Sequence, residues 1–326
     1  MRDKLSIVIS AYNEEGNIEK LYKQIKKATK DLALKSTEII FVDDGSKDKT
    51  LFKCYELQKK DSNIKIVKLL RNFGHEIAMT AGMNHAKGDA VIFMDADLQH
   101  PPQYIADMVK LWQKGNDIVL TQRKNNLDTD WTYQFFGKMF YKFLNFLSDT
   151  KIPANTPDFR LLDRKYITYL QEFNERDSLF RGVLSLVSNY DNVAVINFVA
   201  PKRYSGESKY DMIKSMKLAI NSILQFSVKP LYLSLWLAII SGLSATGLAI
   251  YVIIERMVLK NPTPGYATIV AVVGFMGSMN LFILAIIGAY IGKIHIESKK
   301  RPLYMAEYYE VDKKTKRVKK DASKDN

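Results

Sequence analysis

The chain has 326 residues and a formal net charge of +13, from 48 Lys and Arg against 35 Asp and Glu. This excess of basic residues favours anionic partners, such as phosphorylated substrates, a membrane surface or nucleic acid. The single cysteine, Cys54, excludes an internal disulfide and is typical of a reducing compartment.

The N-terminal part of the chain alternates between two hydrophobic patterns. Short apolar runs predict strands over residues 5–10, 38–42, 64–69, 91–94 and 117–121. Apolar residues at helical spacing predict helices over residues 18–32, 49–60, 76–86 and 102–114. The alternation predicts an α/β fold in which helices cover both faces of a mostly parallel sheet. Ligands of such sheets bind beyond the carboxyl ends of the strands.

Two carboxylates, Asp95 and Asp97, follow the fourth predicted strand, and an amide follows at Gln99. Side chains two apart on a strand share a face, so an extended backbone through Gln99 would point three oxygen ligands the same way. Such ligands suit Mg²⁺ or Mn²⁺ bound together with substrate phosphates. The alternative is a pair of acids at a solvated strand end. Polar clusters at three other strand ends favour the binding site, and they cover residues 11–15, 43–48 and 122–123.

Two long C-terminal runs contain no charged residue, at 231–254 and 265–292. Each exceeds the roughly 20 apolar residues that a helix needs to cross a bilayer. Buried core helices of a soluble domain are the alternative, but a polar face is missing from both runs. We therefore expect two transmembrane helices, at about 231–254 and 266–292.

The distribution of basic residues predicts the orientation of these spans. Eleven Lys and Arg occur from Lys293 onward, whereas the loop between the spans holds Arg256 and Lys260. Basic segments stay in the cytoplasm, so we expect residues 1–230 and the tail there, on a two-span protein of the cell membrane. Much of the positive charge lies beside the spans, which makes anionic lipid a simpler partner than nucleic acid.

Two further segments have the composition of helices that lie at a membrane surface. Aromatic residues crowd residues 131–147, and Lys138 and Lys142 are interleaved with them. Residues 211–228 are similar and lead into the first span. We interpret both as interfacial amphipathic helices. An ordinary core helix is the alternative for 131–147.

The motifs together resemble glycosyltransferase family 2, which has the GT-A fold, a Rossmann-like mixed and mostly parallel sheet. Within that family the chain is similar to the membrane-anchored bacterial polyprenyl-phosphate glycosyltransferases and to dolichol-phosphate mannose synthases. The resemblance covers residues 4–293. It is carried, in order, by Tyr12-Asn13-Glu14, Asp43-Asp44-Gly45-Ser46, Arg71-Asn72-Phe73-Gly74, Asp95-Ala96-Asp97-Leu98-Gln99-His100-Pro101-Pro102, Asp158-Phe159-Arg160, Arg203 and Ser208-Lys209-Tyr210.

The resemblance implies a role for each of these positions. The nucleotide sugar would contact Ala11, Tyr12, Glu14, Asp44, Asp95, Ala96 and Arg123. The metal ion, Mg²⁺ or Mn²⁺, would be held by Asp95, Asp97 and Gln99. The acceptor phosphate would contact Arg160, Arg203 and Lys209. The catalytic residues would be Asp97, Asp158 and Arg203, where Asp158 acts as a base, orients the acceptor, or merely pairs with Arg160.

The resemblance also divides the chain into four parts. Residues 1–130 are expected to form the core that binds the nucleotide sugar, and residues 131–230 the acceptor side with its interfacial helices. Residues 231–293 form the two spans. Residues 294–326 form a basic cytoplasmic tail, of which the last dozen residues look disordered.

The implied reaction is an inverting transfer from a nucleotide sugar, UDP-glucose or UDP-N-acetylglucosamine, to undecaprenyl phosphate. The product would be a lipid-linked sugar for glycosylating a cell-envelope polymer. One alternative is a processive polysaccharide synthase, although the chain lacks a Q-x-x-R-W motif and has few spans. The other is a non-catalytic membrane adaptor with a transferase-like domain.

Two weaker features remain open. The G-x-x-x-G from Gly288 to Gly292 would permit close helix packing and a homo-oligomer. His75 lies either near the donor sugar or in a structural position at a helix terminus.

Overall fold

A computed structural model of the chain describes residues 2–123, 157–172, 192–199, 227–259, 265–311 and 318–322. Contacts divide the chain into two compact units, one built on a β-sheet and one that contains two long helices. The strands are β1 Lys4–Ala11, β2 Ser36–Asp43, β3 Ile64–Leu69, β4 Ala90–Asp95, β5 Ile118–Arg123, β6 Arg160–Asp163, β7 Val193–Phe198, β8 Ala306–Val311 and β9 Val318–Ala322. The helices are α1 Ile18–Thr29, α2 Thr50–Lys60, α3 His75–His85, α4 Ile105–Gln113, α5 Arg164–Glu172, α6 Lys229–Leu259 and α7 Tyr266–Ser298.

The described strands form one mixed sheet in the order β7-β5-β6-β4-β1-β2-β3-β8-β9. Strands β1 to β4 are parallel, and β6 lies antiparallel between β4 and β5. Strand β1 pairs with β2 on one side and with β4 on the other. The chain therefore leaves the carboxyl ends of three adjacent strands at one edge of the sheet, which is where α/β sheets bind ligands.

The predicted α/β class is confirmed, since helices pack against the central strands and bury their apolar residues. Strand β1 is buried from Leu5 to Ala11, as expected for a strand covered on both faces. Helix α3 approaches the sheet closely at Gly82, where an added Cβ would lie 2.2 Å from Val8 Cγ1 and 2.9 Å from Val42 Cγ2. This packing fixes α3 against β1 and β2 independently of its N-terminal residue, His75.

The sequence predicts the first five strands to within two residues at each end. Two predicted helices differ in extent: the helix predicted over 18–32 ends at Thr29, and residues 102–114 contain a 3-10 turn, Pro102–Tyr104, before α4. Strands β6, β7, β8 and β9 and helix α5 were not predicted.

The tail contributes strands to the same sheet. Strand β8 pairs antiparallel with β3, and Gln58 Nε2 donates hydrogen bonds to Tyr309 O (2.9 Å) and Ile64 O (3.1 Å). Tyr304, Ala306 and Tyr308 are buried. The expected disorder of the last dozen residues is wrong for 318–322, because these residues form β9 against β8.

Ending the chain after Leu303 is expected to lower the free energy of unfolding of the sheet unit by about 4 kcal/mol. The truncation removes the buried side chains of Tyr304 and Tyr308, and each large apolar side chain contributes roughly 1.5–3 kcal/mol when buried. Denaturant unfolding of the purified protein, followed by circular dichroism, measures the loss. A chain ending after Ala322 is the control and should match the full chain; equal stability of both truncations would contradict a role for β8.

The second unit contains α6 and α7. The segments Lys229–Glu255 and Val272–Ser298 are each long and apolar enough to cross a membrane, and neither is buried within the protein. Some serine hydroxyls inside these segments bond to their own helix, as from Ser244 Oγ to Ile240 O and from Ser278 Oγ to Gly274 O, both at 2.8 Å. Internal satisfaction of polar groups is what a bilayer requires.

The two predicted interfacial helices fall almost wholly outside the described residues. Residues 131–147 lie outside the described residues, as do residues 211–226 of the second segment. Both remain predictions.

Candidate functional site

A pocket opens at the carboxyl ends of β1, β2 and β4. Its lining combines residues that follow these strands with the start of α3. The lining residues are Ser10, Ala11, Tyr12, Glu14, Asp44, Asn72, Gly74, His75, Ala78, Asp95, Ala96 and Asp97. The pocket therefore gathers seven of the residues predicted for the donor and the metal, namely Ala11, Tyr12, Glu14, Asp44, Asp95, Ala96 and Asp97.

Backbone hydrogen bonds hold the ends of these three strands side by side. Asp44 N donates to Ala11 O (2.9 Å), and Ala96 N donates to Ser10 O (3.1 Å). The loop after β1 is tied to the loop after β2, because Asn13 N donates to Ser46 Oγ (3.0 Å). The polar residues of the pocket therefore stand on a rigid edge.

Asp44 organises the loop that leads into α3. Its Oδ1 accepts from Phe73 N (2.7 Å) and its Oδ2 accepts from Gly74 N (3.0 Å). Burial raises the pKa of Asp44, and these two hydrogen bonds oppose the rise. The adjacent Gly45 has a φ of +71°, and an added Cβ would lie 2.5 Å from the carbonyl carbon of Arg71, so the loops touch here. Asp44 thus both lines the pocket and fixes the position of His75.

The backbone after Asp95 does not continue as a strand. Strand β4 ends at Asp95, and Leu98 has a φ of +63°, in the left-handed region. Gln99 N turns back to donate to Asp97 Oδ1 (3.0 Å). The extended backbone through Gln99, on which a shared face for the three oxygen ligands depends, is therefore not formed, and Gln99 is not part of the pocket lining. Its role as a metal ligand stays a prediction without its original geometric support.

Asp95 and Asp97 nevertheless fit a divalent cation. Both carboxylates line the pocket. Among the residues that the structure describes, no group of three or more His, Cys, Asp or Glu is placed to bind a metal ion. Mg²⁺ and Mn²⁺ accept one or two carboxylates together with substrate phosphate oxygens, so this pair suits an ion shared with a diphosphate.

His100 packs against the turn that begins at Asp95. Its Nδ1 accepts a hydrogen bond from Asp95 N (3.0 Å), and its ring stacks on Phe159 with centroids 5.3 Å apart. Burial lowers the pKa of His100, which agrees with a neutral ring whose Nδ1 is an acceptor. A hydrogen bond and a stacked ring therefore fix the start of the carboxylate turn.

His75 connects the pocket to a buried ion pair. Its Nδ1 lies 2.9 Å from Ser10 Oγ and 3.3 Å from Asp95 Oδ1, and its Nε2 lies 3.3 Å from Asp158 Oδ2. The other oxygen of Asp158 accepts from Arg160 Nη2. Although burial by itself lowers the pKa of His75, the hydrogen bond to Asp158 and the charge of Asp95 raise it to about 9.

The predicted acceptor-side residues occupy different positions. Asp158 and Arg160 are 5% and 2% exposed and pair with each other, as the ion-pair alternative expected. Neither is part of the pocket lining. Arg123 ends β5, is exposed and is not part of that lining. Arg203 and Lys209 lie outside the described residues, so their catalytic and phosphate-binding roles stay predictions.

Sequence reasoning missed Ser10 and left His75 undecided. Ser10 is a small residue in a buried strand, and nothing in its local pattern distinguishes it. The one signal for His75 is its place directly after Gly74, at the start of a helix that follows a strand. Its partners come from positions far apart in the chain.

Comparisons with known proteins identify the family of the chain. Residues 6–170 match the model of the family described as glycosyl transferase family 2. An uncharacterized glycosyltransferase of Synechocystis sp., sll0501, is 40% identical over 94% of this chain and 95% of its own. The bactoprenol glucosyl transferase of Shigella phage SfV is 36% identical over 93% of this chain and 97% of its own.

Similarity to solved structures is more distant. The structure of S. aureus TarS 1-349 in complex with UDP-GlcNAc aligns with a TM-score of 0.47 at 18% identity, over 68% of this chain and 65% of that one. The family match and the two relatives establish the class of protein. The chain belongs to glycosyltransferase family 2 and is a glycosyltransferase.

Proposed function

We propose that this protein transfers glucose from UDP-glucose to the phosphate of a polyprenyl phosphate, with inversion at the anomeric carbon. The observation that carries the proposal is the pair of carboxylates, Asp95 and Asp97, in one pocket with Tyr12, Glu14 and Asp44. Relatives named bactoprenol glucosyl transferases, 36% identical over nearly their whole length, support glucose and the polyprenyl acceptor. UDP-N-acetylglucosamine is the second donor to test.

Different residues of the pocket would bind different parts of the donor. A carboxylate such as Asp44 accepts hydrogen bonds from a nucleobase, while Asp95 and Asp97 would hold a Mg²⁺ or Mn²⁺ ion. That ion, when bound, supplies positive charge against the departing diphosphate. Tyr12, which lines the pocket and is 42% exposed, would offer an aromatic face to the base.

The acceptor needs little activation. In the transfer, a phosphate oxygen of the polyprenyl phosphate forms a bond to the anomeric carbon, and the bond from that carbon to UDP breaks. A phosphate monoester is largely ionised at neutral pH, so a strong base is not required. We assign Asp158 to orienting the acceptor side, and Arg203, Lys209 and Arg123 to neutralising phosphates.

The two apolar helices would bring this chemistry to its lipid substrate. We propose that α6 and α7 span the cell membrane and that the sheet and the tail lie in the cytoplasm, following the excess of basic residues after Lys293. The phosphate of a polyprenyl phosphate stays at the membrane surface, where the 131–147 and 211–228 segments would lie. Association through the Gly288–Gly292 motif stays a prediction.

A transfer assay tests the proposal. The full-length protein in detergent is incubated with undecaprenyl phosphate, Mn²⁺ or Mg²⁺ and radiolabelled UDP-glucose, UDP-N-acetylglucosamine or GDP-mannose, and label is counted in the organic phase. Label from UDP-glucose that disappears with EDTA is expected. Label from another donor would correct the sugar. Nucleotide binding without label in lipid from any donor would overturn the acceptor, and no nucleotide binding would favour the adaptor alternative.

A further inference from the structure

His75 stands between the two sides of the proposed reaction. It is the first residue of α3 and lines the pocket, and its side chain is 37% exposed. Its two ring nitrogens face carboxylates on opposite sides, Asp95 through Nδ1 and Asp158 through Nε2, each at 3.3 Å. Asp95 lines the pocket, whereas Asp158 is buried and is not part of the lining. The ring therefore spans the distance from the donor pocket to the buried Asp158–Arg160 pair.

We propose that His75 is a positioning residue for sugar transfer, whose imidazole holds the Asp158 carboxylate in a fixed place relative to Asp95. The proposal rests on the proposed function, since it assigns a role within that reaction. It goes beyond the family resemblance, which implied no role for His75.

The contacts of Asp158 show what the imidazole contributes. One oxygen of Asp158 is held by Arg160 Nη2, which follows it on the same segment, and the other faces His75 Nε2. Because a carboxylate oxygen accepts hydrogen bonds, the Nε2 atom that faces it must carry the hydrogen. Loss of this bond would remove the contact that ties this oxygen of Asp158 to the pocket side, where the same ring faces Asp95.

The contacts on the donor side fix the ring itself. Ser10 Oγ lies 2.9 Å from His75 Nδ1 and also donates to Asp95 Oδ1 at 3.2 Å. The backbone before the ring is fixed too, because Asp44 accepts from the Phe73 and Gly74 N–H groups. A ring anchored by its backbone and by Ser10 can hold the Asp158 carboxylate in a fixed place relative to Asp95.

A purely structural role at the helix terminus explains less of this arrangement. Helix α3 is already fixed by the close approach of Gly82 to Val8 and Val42. Capping of a helix start needs an acceptor for backbone N–H groups, and no side-chain cap is present at the start of α3. The imidazole instead points its two nitrogens at functional carboxylates.

Two substitutions of His75 distinguish the contributions of its two ring nitrogens. In His75→Gln, the longer amide can place an N–H near the position of Nε2 and donate to Asp158. In His75→Asn, the shorter amide can reach the position of Nδ1 alone. We expect His75→Asn to lower kcat about 30-fold, the range for a hydrogen bond to a charged group, with the KM for UDP-glucose changed less than about threefold. His75→Gln should recover most of kcat.

A double-mutant cycle tests whether His75 acts through Asp158. The variants are His75→Asn, Asp158→Asn and their combination, measured for kcat, for UDP binding by calorimetry and for Tm. If His75 positions Asp158, the double variant is no slower than Asp158→Asn alone. His85→Gln is the matched control, because His85 lies at the other end of α3, stacks on Tyr308 and bonds to Ala81 O (2.8 Å).

The outcomes separate this proposal from the proposed function. The positioning role would be overturned if the losses of kcat from His75→Asn and Asp158→Asn multiplied in the double variant. It would also be overturned if His75→Asn and His75→Gln lost kcat equally. In both cases wild-type transfer, and with it the proposed function, would stand. Absence of lipid-linked product from the wild type would overturn the proposed function instead. Recovery of kcat in His75→Gln together with a non-multiplying cycle supports the positioning role.

Discussion

Asp97→Ala is expected to lower kcat/KM for sugar transfer about 1,000-fold. Asp97 is one of two carboxylates placed to hold a divalent cation against the donor diphosphate, and it lines the pocket with Asp95. A metal ion supplies several kcal/mol of stabilisation to a developing charge, and each 1.36 kcal/mol corresponds to a factor of ten in rate. Rates at saturating Mn²⁺, from the organic-phase assay, measure the loss.

Calorimetry separates a loss of metal binding from a loss of fold. Wild-type protein should bind UDP more tightly with Mn²⁺ than without it, and Asp97→Ala should bind UDP equally weakly in both conditions. Asp107→Ala is the matched control, because the Asp107 side chain is 58% exposed on α4 and its nearest charged partner is Lys110, at 4.0 Å. If Asp97→Ala kept more than a tenth of wild-type activity, the carboxylate pair would not be the metal site.

The elements that could be predicted from the sequence are those that leave a local hydrophobic pattern. The first five strands have apolar runs bounded by polar residues, and such runs identify buried strands. Strand β6 has four residues and begins and ends with a charged side chain, so it gives no such run. Strand β8 reads Ala-Glu-Tyr-Tyr-Glu-Val, without strict alternation, and its partner β3 is more than two hundred residues earlier in the chain. A pairing over that separation leaves no local signal.

The candidate site likewise has residues that the sequence predicts and features that it does not. Strand ends are visible in the sequence, and the topology then brings Ala11, Asp44 and Asp95 to one edge. The turn after Asp95 was not predictable, because it depends on a left-handed Leu98, a conformation that leucine rarely adopts. Nor was the role of His75, whose partners come from separate elements.

Asp158→Asn is expected to lower kcat about 100-fold and to destabilise the sheet unit by about 3 kcal/mol. Asp158 is 5% exposed, and its two oxygens face Arg160 and His75. The neutral amide leaves the buried Arg160 guanidinium without its counter-charge, and loss of one partner of a buried pair is strongly destabilising. The amide can also present an N–H where His75 Nε2 requires an acceptor, which removes the orienting contact as well as the charge.

Because stability and activity both fall, Asp158→Asn needs a control close by in the chain, and strand β6 supplies one. Asp163 ends β6, which Arg160 begins, and its Oδ2 accepts from Trp112 Nε1 (2.7 Å) far from the pocket lining. Asp163→Asn should lower Tm with kcat within about threefold of wild type at a temperature where both are folded, since the change weakens contacts of Asp163 with Arg2 and Trp112 and touches no residue of the pocket lining. If Asp158→Asn behaved in the same way, with full kcat once folded, Asp158 would be an ion-pair partner of Arg160 and nothing more. A loss of kcat confined to Asp158→Asn would place this buried carboxylate in the transfer reaction, although it does not line the pocket.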